Sequence, residues 1–325
     1  MKRLQLLVGL AALLSLGGCL KVSVGATHGG ASGGDTDDSV SVSNGVVDIS
    51  DGDGPEVDVT GAVTTEQRHV QSFHAISVGS IVDLKYTTGA GPSVSVEAQK
   101  DVLPHLITTV EDGTLKIDVK GRLHNVKRII VTVRNPHLDG LDVSGAAKAE
   151  CSGIREDRFS LETSGSSETT VNASAGSLSL DASGASHLHS AGFSGATLKG
   201  QMSGSAKAEF DATFGDTELT LDGTAELDLG RLDARRVKLD LSGSSTVEAS
   251  GRVGDLTVSA GGAGRASLGS LASQNCTASA DGGAHVEVNA VRKLNAETSG
   301  AGHVGYHGNP QVTKTESGSG SVSAE

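Results

Sequence analysis

The residues of this 325-residue chain that could do chemistry are few. His187 and His189 flank Leu188, and His285 and His303 recur 18 positions apart. Zinc takes three or four ligands in tetrahedral geometry, and neither pair has a convincing third or fourth. These histidines therefore read as surface residues, with no metal and no cofactor expected. Carboxylates recur at Glu150, Glu209, Asp228, Glu248 and Glu287, with Glu226 beside Asp228. Two carboxylates flanking one bond could serve a glycosidase or lyase. Lys148 and Lys207 stand next to Glu150 and Glu209, so local charge pairing accounts for part of the pattern. No coil combines a carboxylate pair with a cation in the same column. H-E-x-x-H and P-loop motifs are missing, and no catalytic residue is assigned.

The elements that carry these residues follow from a regular period. Ser-Gly pairs occur at Ser144-Gly145, Ser164-Gly165, Ser183-Gly184, Ser203-Gly204, Ser242-Gly243 and Ser299-Gly300. Related glycines at 223, 262, 282 and 318 complete a series with spacings of 18 to 20 residues. Such regularity means stacked repeats. Counted from each glycine, positions −6, −4 and −2 are mostly apolar, as in Val237, Leu239 and Leu241. Positions +4 and +6 are apolar again, as in Val286 and Val288, and a third apolar point falls near +9, as in Ile154, Phe193 and Val291. Alternation of this kind describes strands with one buried face. The expectation is an all-β fold: a three-sided parallel β-helix (β-solenoid) of about ten 19–20-residue coils, preceded by irregular strands. Glycine takes φ > 0 cheaply, so the Ser-Gly row reads as a structural turn ladder.

The stack also bears on the cysteines. Cys151 at +6 and Cys276 at −6 both fall in inward registers, about seven coils apart. At about 4.8 Å per coil that is roughly 34 Å, far beyond the ~7 Å limit for a disulfide. Two buried free thiols are expected. With 2% aromatics and no Trp, the interior must be narrow and aliphatic. The net charge of −13 argues against nucleic-acid binding.

The N-terminus reads as an address. Met1-Lys2-Arg3 precedes an apolar run from Leu4 to Leu16, too short for a comfortable span but suited to a signal peptide over residues 1–18. Leu16-Gly17-Gly18-Cys19 resembles the lipobox of bacterial lipoproteins. The resemblance implies lipid on Cys19, attachment to a membrane, and, with Leu20 following, the outer membrane. Residues 19–62 are rich in Gly, Ser and Asp, and read as an extended acidic tether. Within it, Asp51 to Asp58 slightly resembles a calcium loop but lacks the full ligand set.

From about residue 66 to 325, particular strings resemble the head GIN domain family of autotransporter-adhesin type. Gln71-Ser72-Phe73-His74-Ala75-Ile76-Ser77-Val78 looks like its opening motif and Asp112-Gly113-Thr114-Leu115-Lys116-Ile117 like its next strand. Leu141-Asp142-Val143-Ser144-Gly145-Ala146 looks like its repeat, and Val304-Gly305-Tyr306-His307-Gly308-Asn309-Pro310 is similar to its close. The resemblance implies a β-helical envelope protein without catalytic residues. No C-terminal membrane-barrel pattern follows, so autotransport is not expected. The leading expectation is a lipid-anchored, non-catalytic binding or adhesion-like module of the bacterial envelope with a protein or glycan partner. The alternatives are a carbohydrate-active β-helix protein, binding or cleaving polysaccharide, and a structural or stress-related envelope protein.

Overall fold

A computed structural model describes residues 39–43, 46–51 and 56–325. Twelve shorter strands come first: β1 (Ser39–Ser43), β2 (Val46–Asp51), β3 (Glu56–Asp58), β4 (Val63–Arg68), β5 (Ala75–Val78), β6 (Val82–Thr88), β7 (Ser93–Gln99), β8 (Leu106–Glu111), β9 (Thr114–Val119), β10 (Gly121–Val126), β11 (Ile129–Asn135) and β12 (Gly140–Val143). Eight long strands follow: β13 (Lys148–Thr163), β14 (Glu168–Ala182), β15 (His187–Met202), β16 (Lys207–Leu221), β17 (Glu226–Leu241), β18 (Thr246–Ala260), β19 (Arg265–Ala280) and β20 (His285–Thr298). The chain ends in β21 (His303–His307), β22 (Gln311–Glu316) and β23 (Ser321–Ala324). Each long strand pairs in parallel with the next, and the ten ladder glycines bound about nine complete turns of a β-solenoid.

A coil here is one Ser-Gly turn followed by one bent strand of 14–16 residues. A register shift inside the strand marks one further corner, for example between Ser152 and Ile154. Gly153 supplies one such corner with φ +80. The pairing therefore continues through the bend, where three separate short sides were expected. Alternate residues point inward along every coil, and Leu239, Val258, Ala278 and Ala296 form one inner column. Four of the five phenylalanines gather in the interior of the coils β13 to β16. Phe193 stacks on Phe159 and Phe214 with centroids 6.5 and 5.5 Å apart, and Phe210 meets Phe214 edge-on at 6.2 Å. Val291, expected at an inner corner, is 48% exposed. Its coil is only 18 residues long, and Ala290 takes the buried place instead.

The N-terminal strands join the stack out of sequence order. β5 and β6 form a coil directly beneath the one begun by β12 and β13. β9 and β11, later in the chain, lie beneath β5 and β6. β7 pairs antiparallel with β11, β4 with β7, and β8 with β9, which closes that end of the stack. A buried polar knot secures it. Asn135 Nδ2 donates to the carbonyls of Phe73 (2.8 Å) and His137 (2.6 Å), and the Tyr86 hydroxyl donates to the Asn135 carbonyl at 2.9 Å.

Part of the stretch read as a tether is ordered. β1, β2, β10 and β3 form a separate four-stranded sheet. Ile49 and Val59 are buried, so alternating apolar residues hidden among the acids are enough to dock this segment. The acids find partners too. His124 Nδ1 lies 3.0 Å from Asp48 and its Nε2 pairs with Glu56. The Asp51–Asp58 stretch falls partly outside the described residues.

The turn ladder rests on backbone geometry. Gly184 has φ +70, and a Cβ there would sit 2.7 Å from the Gly165 carbonyl oxygen. Gly184→Val should therefore lower stability by about 2 kcal/mol or more. Chemical denaturation measures this, and an unchanged midpoint would show that the rung tolerates a side chain.

Candidate functional site

The turn row and the lateral faces are the places the repeat positions for function. The amide after each ladder glycine donates to the glycine carbonyl one coil below at 2.7–2.8 Å. Just after the glycines, Ser205 Oγ and Thr224 Oγ1 bond across one rung at 2.9 Å, whereas among the described residues the serines before the glycines do not bond to one another. Ser144 Oγ and Ser242 Oγ reach back to the carbonyls of Val78 (3.5 Å) and Leu221 (3.3 Å), and Ser242 Oγ also donates to Asp222 at 2.6 Å. Ser299 Oγ donates to Asp281. Ser164, Ser183 and Ser203 are half-buried in the same row. The row is built as a corner; the serine hydrogen bonds hold the Asp222 and Asp281 carboxyls below their usual range, which makes them weak bases.

The lateral face after the turn carries the +3 and +5 columns. Register places Lys148, Glu168, His187, Lys207 and Glu226 on successive coils at +3. Glu150, Thr170, His189, Glu209, Asp228 and Glu248 occupy +5. Opposite charges meet across and along the coils. Lys148 pairs with Glu168 at 2.5 Å and Lys207 with Glu209 at 3.0 Å. His189 Nδ1 lies 3.6 Å and His187 Nε2 4.0 Å from Glu209. Lys207 holds the Glu209 carboxyl below its usual range, mainly through their hydrogen bond. On other faces the same occurs at Asp216 beside Arg236 and at Glu218 beside Lys199 and Lys238. A general acid needs its carboxyl pKa raised, so these shifts run the wrong way for glycoside cleavage.

Further round the coil, positions −5 and −3 form a second flat face. On β15 to β17 it is charged: Lys199 and Lys238 both pair with Glu218 at 3.3 Å. From β18 onward it becomes largely uncharged. Thr257, Thr277, Asn295 and Thr313 stand in one column, and Ser259, Ser279, Glu297 and Thr315 in the next. This array escaped the sequence reading, although the T-x-S and T-x-T spacing at −5 and −3 was there to be read.

His285 and His303 stack with ring centroids 5.0 Å apart. Beside them, Glu287, His307 and Glu325 converge, a group that the sequence reading did not bring together. The missed signal was register: Asn289, His307 and Glu325 all lie seven residues after a ladder glycine. Cys151 and Cys276 are both 2% exposed and unpaired. Burial pushes each thiol up to about 12, with the nearby Glu150 charge adding to the shift at Cys151. Cys19 lies outside the described residues.

The geometry defines a class: an elongated parallel β-solenoid whose repeated features face outward from its sides. The profile described as "Putative auto-transporter adhesin, head GIN domain" matches residues 72–213 and 196–310. The chain belongs to this head GIN domain family. Comparison with curated proteins gives no significant match. Among solved structures, one described as a "putative adhesin" from Parabacteroides distasonis is similar at 20% identity. The match covers 83% of this chain and 100% of the other, with a TM-score of 0.51. That likeness shows the fold. A "putative lipid binding protein" from the same organism matches at 19% identity, covering 83% of this chain and 100% of that one, with a TM-score of 0.46. A "putative adhesin" from Parabacteroides merdae matches at 18% identity over 84% and 100%, with a TM-score of 0.44.

Thiols with such depressed acidity should be inert while the coils are closed. In a Cys19→Ser chain, a thiol reagent at pH 8 should label neither Cys151 nor Cys276 in the native state and both after denaturation. Stoichiometric labelling of the native protein would show that the coils open readily.

Proposed function

We propose that this protein is a non-catalytic binding module of the bacterial cell envelope, tethered through lipid on Cys19 and presenting the side of its solenoid to an extended glycan or a protein. The carrying observation is the array on β18, β19, β20 and β22. Its threonines, Thr257, Thr277, Thr313 and Thr315, are exposed, as are Ser259, Asn295 and Glu297. Parallel pairing repeats these groups at about 4.8 Å along the stack. None of the threonine hydroxyls has a side-chain partner among the described residues. A rigid, regularly spaced row of free donors and acceptors suits an extended, repetitive ligand, because little ordering entropy remains to be lost on binding.

The adhesin names attached to the family and to the similar structures agree with this reading and favour an envelope address. The Leu16–Cys19 string supports the lipid anchor and, with Leu20, the outer membrane. Lipid chains on one cysteine would hold the protein stably where a single chain would not. The polysaccharide-cleaving alternative draws no support from Glu209, Asp216 and Glu218, whose carboxyls are held below the range a general acid needs. The structural or stress-related alternative predicts no loss of binding when the array is altered.

Two measurements test the proposal. Cys19→Ser should move the protein from the membrane to the soluble fraction, and unchanged fractionation would remove the anchor. Thr277→Arg with Asn295→Arg should leave the melting temperature within a few degrees, since both side chains are exposed. It should reduce retention on immobilised envelope polysaccharide and on whole envelopes by at least about tenfold, the loss expected for about 1.4 kcal/mol of binding. Equal retention of both proteins would rule out this face.

A further inference from the structure

At the C-terminal end of the stack, three side chains from successive coils turn toward one point. Glu287 comes from β20, His307 from the end of β21, and Glu325 follows β23. His307 Nε2 lies 2.7 Å from Glu287 Oε1 and 4.0 Å from Glu325 Oε2. One ligand atom from each of the three lies within 4.8 Å of the others. Two ligand atoms at the tetrahedral angle around zinc, with bonds of about 2.0 Å, stand about 3.3 Å apart. The observed separations bracket that value.

Two further features suit a metal at this point. The first is the orientation of the imidazole. His307 Nδ1 lies 3.2 Å from the Glu325 main-chain carbonyl. A carbonyl only accepts, so Nδ1 carries a hydrogen; without a metal Nε2 also donates, to Glu287 Oε1 at 2.7 Å, and that second proton is released when a metal takes its place. A ring fixed by Nδ1–H to a carbonyl is the usual outer-shell arrangement of a metal-binding histidine. Glu325 is steadied in turn by His303, whose Nε2 lies 3.4 Å from Oε1 and whose Nδ1 lies 2.9 Å from Ser321 Oγ. The second feature is space. A Cβ at Gly269 would collide with Glu287 Oε1 and come within 3.1 Å of His307 Cδ2, and one at Gly305 would collide with the Glu325 carboxylate. Neither glycine has a positive φ, so neither is required by a left-handed backbone. Both leave room for the carboxylates to lean inward.

We infer that Glu287, His307 and Glu325 form a binding site for a divalent transition cation of the zinc class, which clamps the last coils of the solenoid. Two carboxylates balance the charge of the ion, one imidazole favours zinc over calcium or magnesium, and water completes the fourth position. The site goes beyond the proposed binding function and does not depend on it. Its role is structural: it joins β20, β21 and the segment after β23.

The test uses the full-length chain in detergent, stripped with chelator and titrated calorimetrically with zinc chloride. One equivalent should bind, raise the melting temperature, and slow amide exchange over residues 311–325. Glu287→Gln and His307→Gln should each weaken binding at least tenfold while leaving metal-free exchange in the long coils unchanged. His189→Ala, which alters a separate histidine–glutamate group, should bind as the unaltered chain does. No zinc binding by the unaltered chain, or binding retained in both Glu287→Gln and His307→Gln, would overturn the site. Calcium producing an equal shift at equal concentration would overturn the choice of cation.

Discussion

The fold depends on one repeated hydrogen bond that is possible only where a side chain is missing. From Gly145 to Gly300, each ladder carbonyl accepts from the amide one position past the glycine of the next coil, at 2.7–2.8 Å. To bring those backbones together, each glycine holds a left-handed φ, between +64 and +76 across the ladder. A Cβ on any of them would fall on the backbone beneath. The constraint is cooperative because one rung sets the height and register of the next. Interior columns then align by themselves. Small residues follow at +2, where Ala147, Ser167, Ser186, Ala206 and Ala225 are all buried, because the corner leaves no room for more.

The same alignment makes the exterior repetitive. A coil cannot move an outer residue without shifting its inner neighbours, since neighbouring side chains alternate between faces. The outer rows are therefore free in chemistry and fixed in position. Charged pairs occupy the −5 row from β15 to β17, whereas hydroxyls and an amide occupy it beyond β18. The exposed pairs contribute little stability, on the order of 0–1 kcal/mol each. Their stronger effect is on recognition, because a paired Lys238 or Glu218 is less available to a ligand than an unpartnered Thr277.

The period was legible because Ser-Gly is written nearly verbatim in most coils and interior positions alternate cleanly. The N-terminal end was not, for physical reasons. Its rung is Ser80, a non-glycine residue at φ +58, and its carbonyl accepts from Ala146 at 2.8 Å. That bond spans 66 residues where the others span about 20, so no periodic count reaches it. Interleaving the coils costs little: closing a loop about three times longer adds only about 1 kcal/mol. The left-handed serine adds about 1–2 kcal/mol. Burial of Tyr86 and Asn135 with their hydrogen bonds satisfied can offset both. In residues 46–59, Val47, Ile49, Val57 and Val59 alternated visibly, but the surrounding aspartates outweighed them in a reading by composition. The Glu287 group was hidden differently: its members belong to three coils and become neighbours only through the +5 and +7 registers.

The two ends of the solenoid meet the edge-strand problem in opposite ways. At the N-terminal end β4, β7 and β8 run antiparallel against the stack, and the four-stranded sheet attaches through β10, directly between β9 and β11 in the chain. That end is covered by structure. The C-terminal end has only short strands: β22 is exposed along most of its length, and Val322 is the single buried residue of β23. Such an edge would template pairing with another chain. It is blunted by local charge, with Lys314 3.3 Å from Glu316, and Glu316 accepts the Val322 amide at 2.7 Å across the final turn. That backbone hydrogen bond, followed by Lys314, holds the Glu316 carboxyl below its usual range. Side-chain hydrogen bonds thus tie the turn between β22 and β23. β22 and β23 bury little of their own, so a clamp joining three coils has much to add there.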